Sequence, residues 1–131
     1  MINKLKKEMR KRTLTQARKY CWDKQSEYVR RLEEGVCCTC GKIDEWKNMQ
    51  AGHYRHKDCL DFNLKNIHCQ CSRCNKWLTG NSKKYAIYLE KRYGFGIIQE
   101  LDHLADQIKI FKVPELENLA KDYDKKTKEL D

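Results

Sequence analysis

Asn66 to Asn75 reads NIHCQCSRCN, and Cys37 to Cys40 reads CCTC. Together they set out Cys37-x2-Cys40 and Cys71-x2-Cys74, two pairs that each place two thiolates on one face of a tight turn or helix start. Four thiolates meet the tetrahedral demand of a structural Zn²⁺. The segment between Cys40 and Cys71 is longer than in the compact four-cysteine pattern, so the metal would tie the ends of an insert together. Cys21, Cys38, Cys59 and Cys69 are left as ordinary thiols. The absence of a signal-peptide-like apolar run in the opening residues favours the reducing cytoplasm, where paired cysteines hold metal more often than they form disulfides.

Outward from these knuckles the sequence predicts helices. No Gly or Pro interrupts Leu14 to Glu33, and Ala17, Tyr20, Cys21, Tyr28 and Leu32 recur at helical spacing up to a stop at Gly35. A helix is expected to begin at or near Cys71. Another is expected from Ser82 to Tyr93, between a cap at Asn81 and a stop at Gly94. A third follows Gly96, with Ile97, Leu101, Leu104, Ala105 and Ile108 on one face. The last has Pro114 in its first turn and an apolar stripe of Leu116, Leu119, Ala120 and Tyr123. The fold class is therefore α+β and mostly helical. One domain of 131 residues is expected: a basic N-terminal helix over 1–35, a zinc-pinned core over 36–81 and C-terminal helices over 82–131.

Lys and Arg number 28 against 19 Asp and Glu, a net charge of +9. That excess points to a polyanionic partner, and its concentration before Pro114 directs the partner to residues 1–113. No stretch is apolar enough to suggest a membrane span. The basic run Lys4 to Lys19 reads as an arm over a duplex or as a solvated tail.

Inside the insert stand His53, Asn66 and His68, and Asn75 directly follows the last cysteine. A neutral His can take a proton from water, an Asn can fix the loop that carries it, and a further side chain can hold a divalent cation on a phosphate. Arg55, Arg73, Lys76, Lys83 and Lys84 flank these positions and would grip neighbouring phosphates.

The runs AGHYRH (Ala51 to His56), NIHCQCSRCN and TGN (Thr79 to Asn81), with YAIYLEKRYG in the following helix, resemble the phage NinG/Rap recombination proteins. The likeness covers residues 15–125. More distantly the unit is similar to HNH, or His-Me finger, nucleases, and to the zinc-containing phage resolvase endonuclease VII. The resemblance implies a zinc-pinned ββα-metal, treble-clef-like core and an endonuclease that nicks Holliday junctions or other branched DNA. It implies His53 as general base, Asn75 as ligand of a catalytic Mg²⁺ or Mn²⁺, and Asn66 as the residue orienting the His loop. Many HNH sites carry a metal-binding Asp before the base, where this chain has Gly52. His68 is the expected second ligand, from its two-residue spacing to Asn66 on a strand, with Asp44, Glu45, His56 and Asn81 as further candidates. Nicking two strands symmetrically would need a homodimer, with the C-terminal apolar stripe either as its contact or packed into the chain's own core. The alternatives are a noncatalytic zinc-stabilised nucleic-acid-binding module and a protein-interaction adaptor.

Overall fold

A computed structural model describes residues 11–131. Residues 4–10 of the expected basic arm lie outside the described residues.

Helix α1 (Leu14–Leu32) starts where Thr13 and Gln16 cap it reciprocally, each side chain accepting from the other's backbone N–H. It ends as Gly35 turns at φ +68, and a Cβ there would meet the Asp44 carbonyl oxygen at 1.9 Å, so only glycine fits. Strands β1 (Gln50–His53) and β2 (Ile67–Gln70) form an antiparallel pair in which Gly52 opposes His68 and His53 opposes Ile67. After β2 comes a five-residue π-helical turn, Arg73–Trp77, in place of the regular helix expected from Cys71. Helices α2 (Ser82–Tyr93), α3 (Ile97–Ala105) and α4 (Val113–Glu129) complete the chain. The fold is thus a mostly helical α+β arrangement around a small two-stranded sheet.

The sheet is covered on both faces. Val29 of α1 packs on Ala51 and Ile67. On the opposite face Tyr85 of α2 donates to the Gly52 carbonyl at 2.7 Å, and its ring meets the His68 ring. Leu60, Leu89, Ile97 and Leu101 extend that second core. Ile108 is 93% exposed because α3 ends at Ala105, which corrects the longer apolar face expected from the sequence.

Leu116, Ala120 and Tyr123 of α4 lie against Ala17 and Cys21 of α1, so the first and last segments share one core. The stripe expected to join two subunits is therefore spent within the chain. Uncovering it would cost roughly 2 kcal/mol for each Leu-sized side chain. Buried Gln25 ties three parts together: its amide donates to the Asp61 carbonyl at 2.8 Å and its oxygen accepts from Tyr123 Oη at 3.1 Å. Among the described residues no helix is long and apolar enough to cross a membrane.

Candidate metal centre and adjoining cavity

The Cys37, Cys40, Cys71 and Cys74 sulfurs all lie within 4.8 Å of one another. Their carriers are a tight turn, closed by the Cys37 N–H donating to the Lys42 carbonyl, and the start of the π-helical turn. Four such thiols could hold a structural metal such as zinc. Burial opposes ionisation of Cys37. The Thr39 hydroxyl and the backbone amides of Cys71, Cys40 and Thr39 outweigh it and draw the thiol down to about 6. Cys40 is instead pushed up to about 12, by desolvation and by the neighbouring thiols Cys37, Cys71 and Cys74. Burial also holds Cys21 and Cys69 up to about 12. Asn81 supports the cluster from outside: it occupies the left-handed region at φ 51, makes no side-chain cap, and donates its amide to Cys74 Sγ at 3.7 Å.

Beside the cluster, His53 and Asn75 line one cavity of about 580 Å³ together with Trp22, Ser26, Arg30, Met49, Gln50, Ala51 and His56. Among the described residues, none that lines it carries a carboxylate. His53 stacks on Trp22, with ring centroids 4.7 Å apart and planes within 4°. Its Nε2 lies 3.1 Å from Asp61 Oδ1, and Arg18 donates to the other oxygen of Asp61 at 2.7 Å. An ionised carboxylate only accepts, so His53 Nε2 donates to it, and in the neutral imidazole Nδ1 is then the nitrogen with the lone pair. Asn75 gives its amide N–H to Gln50 Oε1 at 2.7 Å, and its Oδ1 accepts from none of the described residues.

Asn66 is fully buried behind His53. Its Oδ1 accepts from the Arg55 N–H at 2.8 Å, and its amide donates to the Arg55 carbonyl at 2.9 Å and to the Leu60 carbonyl at 3.4 Å. The loop leaving His53 is thereby clamped to the residue that precedes β2.

His68 is not brought to this cavity, which corrects its expected place among the cation ligands. Asn66 lies outside β2, so the two residues do not share a strand face as their spacing suggested. Both ring nitrogens of His68 are spent. Nδ1 meets Glu33 Oε2 at 2.7 Å, and Nε2 meets the Lys65 carbonyl at 3.2 Å and Tyr93 Oη at 3.3 Å. Of the other candidates only His56 lines the cavity. Asp44 instead accepts from the Glu45 N–H and from Asn48, hydrogen bonds that hold its carboxyl below the usual range.

The basic residues divide. Arg73 and Lys76 are exposed on the turn that carries Asn75, and Lys83 and Lys84 are exposed in the first turn of α2. Arg55 is paired with Asp102 at 3.1 Å. Arg30 of the cavity and Arg18 behind His53 both come from α1, and sequence reasoning did not single them out. Nor did it single out Asp61.

The sequence profile of the family described as "Bacteriophage Lambda NinG protein" matches residues 1–131. The chain is 29% identical over 120 residues to Protein ninG of Escherichia phage lambda, covering 83% of this chain and 57% of the relative. It is 30% identical over 122 residues to Protein ninG of Salmonella phage P22, with coverage of 83% and 57%. The relative from Escherichia phage 933W is 29% identical over 120 residues, at 83% and 58%. The chain thus spans little more than half the length of these relatives. No solved structure matches it. With its profile matched from end to end, the chain belongs to the bacteriophage lambda NinG family.

Proposed function

We propose that this chain is a divalent-metal-dependent endodeoxyribonuclease that nicks Holliday junctions or other branched recombination intermediates. The observation that carries the reading is the meeting of His53 and Asn75 in one cavity, with His53 backed by Asp61 and Arg18. Trp22 and Asp61 hold the imidazole in one plane and one tautomer, and Nδ1 takes a proton from the attacking water. Asn66 keeps the loop behind His53 in register. Asn75 Oδ1 is an oxygen donor of the type that Mg²⁺ and Mn²⁺ prefer, and such a cation would offset charge developing on the phosphate. A cavity without lining carboxylates suits a cation that arrives with its phosphate, since Mg²⁺ at phosphoryl sites takes many of its ligands from substrate and water. Arg30 adds a fixed positive charge. Arg73, Lys76, Lys83 and Lys84 would contact neighbouring phosphates without reading bases.

Symmetric nicking still calls for two active sites and so for a homodimer on the junction, through a surface other than the α4 stripe. The noncatalytic nucleic-acid-binding alternative accounts for the thiols and the charge but gives the Asp61–His53 pair no task. The reading is tested by offering the purified protein a four-way junction beside a linear duplex of matched length. Mg²⁺-dependent cleavage of the junction in preference to the duplex supports it, and binding without cleavage supports the alternative. Within the same assay, Asp61→Asn is expected to slow cleavage by roughly 10²-fold or more, because the amide no longer enforces the Nε2–H tautomer. Cleavage at the wild-type rate would remove Asp61 from the scheme.

A further inference from the structure

Gly52 is enclosed. A Cβ at this residue would fall 1.9 Å from Gln70 Oε1, 2.8 Å from Gln70 Cδ and 3.2 Å from Asn75 Oδ1. The amide of Gln70 therefore occupies the space that a side chain at residue 52 would fill, and its oxygen and that of Asn75 flank the same point.

Gln70 is 0% exposed, and its Oε1 is a buried polar atom without a hydrogen-bond partner among the described residues. Flipping the amide would not relieve it. Nε2 donates to the Gly80 carbonyl at 2.8 Å and to Thr39 Oγ1 at 3.2 Å, so a flip would turn an oxygen onto the Gly80 carbonyl. An orphaned buried acceptor costs roughly 1–3 kcal/mol unless something positive reaches it. Two amide oxygens beside one point, with no ammonium or guanidinium among the described residues bonded to either, are donors for a hard divalent cation.

The geometry points to Gln70 Oε1 as the second protein ligand, with Asn75 Oδ1, of a Mg²⁺- or Mn²⁺-class cation, the amide taking the place of the side chain that Gly52 lacks. This inference rests on the nuclease reading and deepens it. Both donors are neutral, so the free protein holds the cation weakly and the substrate phosphate completes the site. The amide is also tied to the cysteine cluster, because Thr39 Oγ1 lies 3.3 Å from Cys37 Sγ and accepts from Gln70 Nε2. Loss of the structural metal would loosen the cation site through this link.

The test is Mn²⁺ binding, read by electron paramagnetic resonance on zinc-loaded protein. Gln70→Met and Asn75→Ala are each expected to weaken Mn²⁺ roughly tenfold or more, in the range of lost metal-site interactions. The double variant Gly52→Asp with Gln70→Ala is expected to bind more tightly than wild type, because a carboxylate enters the space the amide leaves. Unchanged Mn²⁺ affinity in Gln70→Met, with affinity lost in Asn75→Ala, overturns the role of Gln70 and leaves the nuclease reading standing. Absence of Mn²⁺ binding in both wild type and the double variant overturns the Gln70 site, while the nuclease reading stands or falls by Mg²⁺-dependent cleavage of the junction. Should Gln70→Met lose zinc or fail to fold, Mg²⁺ titration of the wild type followed by NMR decides. Movement of the Gln70 side-chain amide signals supports ligation, and static signals overturn it.

Discussion

His53→Ala is expected to lower cleavage of branched DNA by about 10²–10⁴-fold, the usual worth of a positioned general base. Zinc content and DNA affinity should stay close to wild type, since the imidazole stacks on Trp22 and pairs with Asp61 without touching the cysteine cluster. Metal analysis, a DNA-binding isotherm and single-turnover cleavage measured on the same preparation separate the two effects. Wild-type cleavage by the variant would return His53 to a structural role.

Cys71→Ser should have the largest effect on folding. Structural zinc in small domains is worth roughly 10–16 kcal/mol, as much as the entire stability of an ordinary domain at about 5–15 kcal/mol. Removing one of four thiolates opens the closed site, and residues 36–81 lose the tie between the Cys37 turn and the Cys71 turn. Native mass spectrometry should find one zinc in the wild type and a strongly reduced share in the variant, together with a lower melting temperature. Cys59→Ser is the control. The Cys59 sulfur lies beside the Leu104 carbonyl, and it is not among the clustered thiols, so zinc content should not change. Wild-type protein that folds without zinc would refute the four-thiolate assignment.

What could be read from the sequence was local. The paired cysteines, the uninterrupted run into α1 and its stop at Gly35, Gly94 closing α2 and Pro114 opening α4 are signals carried within a few residues, and the elements stand where they were expected. The capping box of Thr13 and Gln16 is equally local. What failed depended on register. The placement of His68 assumed that Asn66 belonged to the strand, yet β2 begins at Ile67, and the pairing of Gly52 with His68 turns that ring toward Glu33. Asp61, Arg18 and Trp22 converge on His53 from an irregular turn and from a helix far upstream, a placement that no spacing encodes. Gln70 was hidden for a further reason: its meaning comes from an absent side chain at Gly52, across the hairpin. The α4 stripe was seen correctly as apolar, but periodicity shows that a face is buried and not whether its partner is another subunit or α1.

The most direct measurement is a timed incubation of zinc-loaded protein with an end-labelled four-way junction, in Mg²⁺ and in EDTA. Discrete nicks near the branch point in Mg²⁺, with the junction bound but intact in EDTA, are the predicted result. A junction that is bound and uncut in Mg²⁺ and in Mn²⁺ would contradict the nuclease assignment of His53 and Asn75.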